Sequence, residues 1–280
     1  MIKVLSPGLF STIQDMGRFG YRDKGVPVSG AMDAASAQLA NMLLGNNSND
    51  AVMELTMKGP RLMFNCNTCI VITGALLNPA INNAPAHNNK VYDIQPGDIL
   101  SFGGMESGLR AYLAVKNGFK TDVVMNSRSQ YESITGNSSI RKGDTIEIDD
   151  FPYSKMRTSN TIIRVKWMQN EILQVYKGPE YDLLSDKQKN ELKEIVFTVA
   201  NENNRMACQL DGELSPHSLS IYTSATLPGT VQFTPSGKLI VLMKDAQTTG
   251  GYPRILQLTE EAICILAQKP TGENVRFTIS

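Results

Sequence analysis

The sequence predicts a mainly β protein with few short helices, arranged as a β-barrel or a β-sandwich. Short runs rich in β-branched and aromatic residues recur along the chain, and Gly or Pro turns separate them. Three segments have a helical pattern, and they do not alternate with the strands as parallel βαβ units would. The 280 residues are 41% hydrophobic and 19% charged, so they can bury the core of one large domain or of two modest ones.

The predicted N-terminal half, residues 1–155, contains a glycine-rich loop, one helix and a β domain. A strand at Ile2–Leu5 precedes the glycine-rich loop at residues 14–30. We expect the aromatic side chains of this loop to pack against the rest of the protein. Asp33 is a good N-cap for a helix that ends near Leu44. Further strands are predicted at Val52–Met57, Leu62–Phe64, Thr68–Thr73 and Gly108–Val115.

The predicted C-terminal half, residues 156–280, is a second β domain with two helices. Ser185 and Gln188 indicate a capping box at the start of a helix that ends near Glu194. Thr259 is the predicted N-cap of a short amphipathic helix. Strands are predicted at Thr161–Trp167, Ile195–Ala200, Leu239–Met243 and Val275–Ile279.

The composition argues against several classes of function. The formal net charge is +0 and the pI is about 6.7, so we expect neither nucleic acid nor a membrane as partner. No secretory signal or spanning apolar run is present, which predicts a cytoplasmic protein. The four cysteines do not make a disulfide framework, and Cys66 and Cys69 are expected to be ordinary buried cysteines. No Walker loop and no Gly-x-Ser-x-Gly motif occurs.

The segment Asp245–Pro253 is an unusual strand end. An acid, an amide, two hydroxyls and two glycines follow the apolar run Leu239–Met243. The adjacent Gly250 and Gly251 allow a close approach to the backbone, so polar side chains can converge there on a ligand. A simple polar turn is the alternative.

Four further residues are candidates for binding a polar ligand. Asp15 and Arg18 lie three apart in the glycine-rich loop, where an arginine can hold a carboxylate or a phosphate. Arg205 can anchor a ligand, and the amide of Gln232 can pair with a lactam or ureido group. Each has a structural alternative: an Asp–Arg pair that pins the loop, a loop cap, and an amide that bonds to backbone.

Several loops together resemble one protein family. The matching segments are Gln14–Tyr21, Gly25–Asp33, Ala40–Asn41, Glu54, Gly59–Pro60, Arg205–Met206, Pro228–Gln232 and Asp245–Pro253. They are similar to the allophanate-hydrolase-subunit-2-like group, also called biotin-dependent carboxyltransferase-like. This group includes the C subunit of the bacterial ATP-dependent 5-oxoprolinase and the KipI antagonist KipA.

The resemblance implies a cyclophilin-like β-barrel fold with two barrel-like halves. It implies two partners, the KipI-like B subunit of 5-oxoprolinase and its LamB/YcsF-type A subunit. The implied reaction opens 5-oxoproline to glutamate with hydrolysis of ATP, which is bound in the complex. Two alternatives remain: a KipA-like regulator that antagonises a kinase inhibitor, and a carboxyltransferase that takes a carboxyl group from biotin on a separate carrier to a urea-like substrate.

The resemblance also implies two sets of site residues, and no metal. The catalytic candidates are Asp15, Arg18 and Asp245. The substrate-binding candidates are Arg205, Met206, Gln232, Thr249, Gly250, Gly251 and Tyr252. The chain departs from the family pattern at residues 116–118, 126–130 and 203–207, and these departures bear on the substrate more than on the fold.

Overall fold

A computed structural model describes residues 1–151 and 170–280, which form two units. Of the described residues, the first unit holds 1–18 and 29–151, and the second holds 19–28 and 170–280. Part of the glycine-rich loop therefore belongs to the second unit, although the chain on either side of it belongs to the first. The predicted boundary near residue 155 and the predicted strand at 161–167 lie outside the described residues.

The described strands of the first unit form two antiparallel sheets. These strands are β1 (Ile2–Ser6), β2 (Phe10–Gln14), β3 (Val52–Thr56), β4 (Arg61–Phe64), β5 (Thr68–Leu76), β6 (Pro79–Ile81), β7 (Ala84–Pro85), β8 (Tyr92–Ile94), β9 (Ile99–Phe102), β10 (Ser107–Val115) and β11 (Thr145–Ile146). One sheet has the order β11-β1-β4-β9-β6-β7 and the other the order β2-β3-β10-β5-β8. Both sheets contribute to one apolar core, for example through Ile2 and Leu62 from the first and Leu113 from the second.

Helix α1 (Ala34–Leu44) covers the second of these sheets. The Asp33 side chain accepts a hydrogen bond from the backbone N–H of Ser36 at 3.0 Å, which confirms the predicted N-cap. Gly45 ends the helix in the left-handed conformation, with φ 61°. The buried face of small residues packs on β5 and β10, as the spacing predicts.

The second unit is built around a closed barrel. Its strands are β12 (Ile172–Lys177), β13 (Phe197–Asn203), β14 (Ala207–Asp211), β15 (Ser224–Ala225), β16 (Thr230–Phe233), β17 (Leu239–Leu242), β18 (Thr249–Gly250), β19 (Arg254–Leu258) and β20 (Asn274–Ile279). Seven of them close in the order β12-β19-β16-β17-β14-β13-β20, and β15 pairs with β18 outside the barrel. Burial alternates along β12, with Leu173 and Val175 inside and their neighbours exposed, as expected for a barrel strand.

Two helices complete the second unit. Helix α2 (Asp186–Glu194) begins with the predicted capping box, in which Ser185 and Gln188 satisfy each other's backbone N–H groups. Helix α3 (Glu260–Ala267) begins at the predicted N-cap Thr259, whose hydroxyl accepts from Ala262. The residues from Ala262 to Ala267 are all buried, so this helix is enclosed on most sides rather than amphipathic.

The predicted fold class is confirmed: the chain is mainly β, with three α-helices among the described residues and a closed barrel in the second unit. In the described part of the first unit the strands form two sheets that share a core rather than one closed ring. No helix in residues 1–151 or 170–280 has the length and apolarity needed to cross a membrane.

Candidate functional site

In the first unit, Asp15 anchors the loop that follows residue 123. Its Oδ1 accepts hydrogen bonds from the hydroxyls of Ser127 and Ser129 at 2.7 and 2.6 Å. Its Oδ2 accepts from the backbone N–H of Arg128 at 2.7 Å. The carboxylate is 4% exposed, so donors from the chain occupy both of its oxygens in a buried setting. This geometry gives Asp15 a structural task, and its catalytic role stays a prediction.

Arg18, the other residue of the predicted pair, holds the same loop. It is 0% exposed, and it donates from Nε to the Val124 carbonyl at 3.0 Å and from Nη2 to the Ser129 carbonyl at 2.8 Å. Guanidinium donors that bond to backbone carbonyls fix a loop firmly, since a buried carbonyl needs a partner. The assignment of Arg18 to catalysis likewise stays a prediction.

A polar cavity of about 340 Å³ lies in the first unit, beside this loop. Its lining is Asp15, Asn47, Asn49, Asp50, Ala51, Asn117, Phe119, Lys120, Val123, Asn126, Ser127 and Arg128. Residues 117 and 126–128, where the chain departs from the family pattern, are part of this lining. The amides and the charges of both signs suit a polar molecule, so the departures change a surface that a ligand can reach.

In the second unit, the predicted glycine strand end lies against the amide of Gln232. Gln232 is 2% exposed, and its Nε2 is buried with no hydrogen-bond partner in the described residues. A Cβ built on Gly250 would lie 2.3 Å from this nitrogen and 3.3 Å from Cγ2 of Thr226. A side chain at residue 250 would therefore displace this amide from the space that it occupies. The structure brings together two of the predicted residues, Gln232 and Gly250.

The segment after Asp245 is fixed by a short pairing outside the barrel. Gly250 and Thr249 of β18 pair with Ser224 and Ala225 of β15. Thr226 extends this pairing, because its N–H donates to the Thr248 carbonyl at 3.0 Å and its hydroxyl donates to the Gln247 carbonyl at 2.7 Å. The backbone that the Gln232 side chain faces is thus fixed by its hydrogen bonds to residues 224–226.

Three other substrate-binding candidates line the exposed rim of this strand end. Thr249 and Gly251 are exposed, and the Tyr252 ring is 43% exposed. Around Gly251 the space is open, since the nearest atom to a built Cβ is the Thr223 hydroxyl at 4.0 Å. This rim is the accessible side of the strand end, and its binding role stays a prediction.

Arg205 and Asp245 form a buried ion pair in the same unit. The guanidinium donates from Nε to Oδ2 at 2.7 Å and from Nη2 to Oδ1 at 3.1 Å, so the pair is bidentate. The two side chains are 7% and 10% exposed. The backbone reinforces the contact, because the Asp245 N–H donates to the Arg205 carbonyl at 2.8 Å. The neighbouring Met206 is 49% exposed; its N–H donates to the side-chain oxygen of Asn204, and its carbonyl accepts from the N–H of Met243.

Sequence reasoning overlooked Arg22, which the structure places beside this strand end. Its Nη2 donates to the Thr226 carbonyl and, at 3.5 Å, to the Thr248 carbonyl. The sequence offered one signal for Arg22, its position in the glycine-rich loop. The structure adds that Arg22 lies in the segment 19–28, which belongs to the second unit. The same segment corrects another expectation: Phe19 is 68% exposed, whereas Val26, Pro27 and Val28 are the buried residues of segment 19–28.

Neither a metal nor a thiol centre is indicated among the described residues. No group of three or more His, Cys, Asp or Glu side chains there is arranged to hold a metal ion. Cys69 is buried as predicted, and burial raises the pKa of its thiol to about 11. Cys66 is half-buried, which differs from the expectation for this residue.

Comparison with known proteins identifies the family of this chain. The family model described as carboxyltransferase domain, subdomain A and B, matches residues 24–279. The C subunit of the 5-oxoprolinase of Escherichia coli strain K12 is 29% identical over 99% of this chain and 90% of its own length.

Two solved structures have the same fold. A crystal structure of TTHA0988 superposes with a TM-score of 0.89 at 26% identity over 99% of this chain, which spans 55% of that protein. The urea amidolyase of K. lactis superposes with a TM-score of 0.84 at 26% identity over 99% of this chain, which spans 18% of that protein. Because the family model covers nearly all of the sequence, the chain belongs to the carboxyltransferase domain family, subdomain A and B.

Proposed function

We propose that this chain is one of the subunits of an ATP-dependent 5-oxoprolinase, which opens 5-oxoproline to glutamate together with a KipI-like and a LamB/YcsF-type partner. The similarity to the C subunit of the E. coli 5-oxoprolinase supports this proposal, because it extends over 99% of this chain and 90% of that protein. The observation that carries it in the structure is the buried Nε2 of Gln232, a donor without a partner in the described residues that faces Gly250.

The geometry at Gln232 suits the carbonyl group of a lactam. A buried amide donor left without a partner costs about 1–3 kcal/mol, which an acceptor on a ligand would recover. A primary amide carries both a donor and an acceptor, and a lactam presents the complementary pair on one edge. Because residue 250 has no side chain, its backbone packs directly against this amide, where a Cβ would lie 2.3 Å from Nε2.

The chemistry requires donors for the lactam oxygen and a base for water. Negative charge develops on that oxygen as the ring carbon is attacked, and fixed donors stabilise it in the transition state. Gln232 is our candidate donor, and Asp245 is our candidate base in the second unit. Asp245 accepts one hydrogen bond from Arg205 on each oxygen, so the proton would go to a remaining lone pair of the carboxylate. ATP is the cosubstrate that would activate the lactam oxygen by phosphorylation, and we assign it to the complex.

The direct test is reconstitution of the complex. Co-expression with the two partner subunits should give ATP cleavage that depends on 5-oxoproline, with glutamate as product. Gln232→Ala should lower this rate by roughly 100-fold, the usual effect of removing one such donor. The matched control is Gln174→Ala, which removes an exposed amide from β12 of the same unit and should leave the rate unchanged. A wild-type complex without oxoproline-dependent ATP cleavage would refute the function, and an unaffected Gln232 variant would refute the site.

A second function has support of its own from the family description and from the K. lactis urea amidolyase. A carboxyltransferase would move a carboxyl group from biotin on a separate carrier to a ureido nitrogen, and a ureido carbonyl would suit Gln232 equally well. This alternative predicts carboxylation of a urea-like substrate when a carboxybiotin carrier is supplied. The proposed oxoprolinase predicts no dependence on biotin.

A further inference from the structure

Arg22 differs from the other half-buried or buried arginines of the second unit. Arg205 is paired with Asp245 and Arg254 with Glu180, each at 2.7 Å. Arg22 has no carboxylate partner among the described residues, and its Nη1 is buried without any hydrogen-bond partner there. The hydrogen bonds of its side chain to the described residues run from Nη2 to two backbone carbonyls.

A guanidinium in this setting has donors that an anion can fill. Burial lowers the pKa of Arg22, because the charged form loses water and gains no opposite charge. An unsatisfied buried donor on a charged group is unfavourable, and a carboxylate oxygen that accepts from Nη1 would remove the penalty. A carboxylate supplies both this acceptor and the opposite charge, so this anion is the best fit.

Arg22 and Gln232 both lie near one residue, Thr226. The Thr226 carbonyl accepts from Arg22, and its Cγ2 lies beside the position where a Cβ of Gly250 would meet Gln232. Two independent groups with unfilled donors therefore border the same short stretch of backbone. One of them is charged and suits a carboxylate, and the other is neutral and suits a carbonyl oxygen.

We propose that Arg22 is the carboxylate-binding residue of this site and that it selects small acids whose carbonyl oxygen bonds to Gln232. The choice of 5-oxoproline as ligand rests on the proposed function, but the role of Arg22 rests on its own geometry. The selectivity for acids then follows from charge, because a lactam without a carboxylate provides no anionic acceptor for the guanidinium and binds weakly.

The test compares 5-oxoproline with 2-pyrrolidinone, the same ring without the carboxylate. Calorimetry on the full chain, alone and in the reconstituted complex, should show about 10- to 100-fold tighter binding of 5-oxoproline. Arg22→Gln should abolish this preference by weakening 5-oxoproline and leaving 2-pyrrolidinone unchanged. Arg22→Lys keeps the charge and should retain part of the preference. The control Arg276→Gln removes an exposed arginine from β20 of the same unit and should change neither affinity.

The outcomes separate this inference from the proposed function. If Arg22→Gln folds, judged by its unfolding curve, and still binds 5-oxoproline as tightly as wild type, the inference is overturned while the oxoprolinase reaction can stand. If the complex does not turn over 5-oxoproline but Arg22→Gln lowers the affinity of the protein for 5-oxoproline, the inference stands and the proposed function is refuted. If neither the chain nor the complex prefers the acid over the plain lactam, the inference is overturned.

Discussion

The contact between Gly250 and Gln232 gives a prediction that the structure quantifies. A Cβ at residue 250 would lie 2.3 Å from Nε2 of Gln232, whereas ordinary contact begins near 3.4 Å. Gly250→Ala therefore has to push the amide aside by about 1 Å. The amide belongs to a side chain that is 2% exposed, so it has little room to move. We expect a loss of about 1–3 kcal/mol in the free energy of unfolding, the usual cost of overpacking.

The neighbouring glycine supplies a matched control. A Cβ on Gly251 meets no atom closer than 4.0 Å, and neither Gly250 nor Gly251 has a left-handed φ. Gly251→Ala should therefore be neutral, or stabilise by up to about 1 kcal/mol through the unfolded chain. The assay is urea unfolding of the full chain followed by circular dichroism, with 5-oxoproline binding as a second readout. Gly250→Ala should weaken that binding and Gly251→Ala should not.

A double-mutant cycle decides whether the amide is the cause. If the clash with Gln232 is responsible, Gly250→Ala should cost much less in a Gln232→Ala background, with a coupling of about 0.5–3 kcal/mol. Equal effects of Gly250→Ala and Gly251→Ala, or additive effects in the cycle, would show that the reasoning is wrong. In that case the strand end would be a simple polar turn, the alternative that the sequence left open.

Three other predictions concern the second unit and the cysteines. Replacing Asp245 by Asn should lower the free energy of unfolding by about 3–5 kcal/mol, because it removes the carboxylate charge from a buried, bidentate ion pair; full activity of that variant in the complex would remove its role as the base. The hydrogen bond from the Arg254 side chain lowers the pKa of Glu180, so this pair stabilises the fold above the unfolded-state pKa and its contribution is lost as pH falls through the lower folded-state value. Urea unfolding should accordingly separate wild type from Glu180→Gln at pH 7, and the difference should shrink as pH falls below the unfolded-state pKa of about 4.3 and disappear once pH is below the folded-state value; a constant difference would contradict the assignment. Thiol labelling of the native chain at pH 8, read by mass spectrometry, should modify the half-buried Cys66 well before Cys69, whose thiol has a pKa of about 11; equal rates would contradict the burial argument.

Local signals in the sequence predicted the elements well. The helix beginning after Asp33 and the one beginning after Ser185 have the predicted caps, because capping involves residues only three apart. The apolar run at Leu239–Leu242 is a strand, and the glycines after it border a buried amide. Such features depend on neighbours in the chain, so a pattern of residue types is sufficient to predict them.

The tasks of individual polar residues were harder to predict. Asp15 and Arg18 looked like ligand-binding residues, yet both bond to a loop more than 100 residues away. Arg22 drew no attention in the sequence, and its contact with Thr226 joins positions 204 residues apart. No spacing rule covers such separations, because the fold alone decides which distant backbone carbonyls a guanidinium meets.

By itself, the sequence determined that this is a mainly β chain, where its three helices and several of its strands lie, and which loops match the family; it did not predict barrel strands such as β12 and β19. These follow from side-chain periodicity and backbone preference, which act over a few residues. Only the tertiary structure decided that residues 19–28 join the second unit, that Asp15 and Arg18 are occupied by the chain, and that Gln232 and Arg22 have donors to offer. Whether a buried donor has an acceptor depends on which residues folding brings next to it. Local sequence patterns do not show which residues these are.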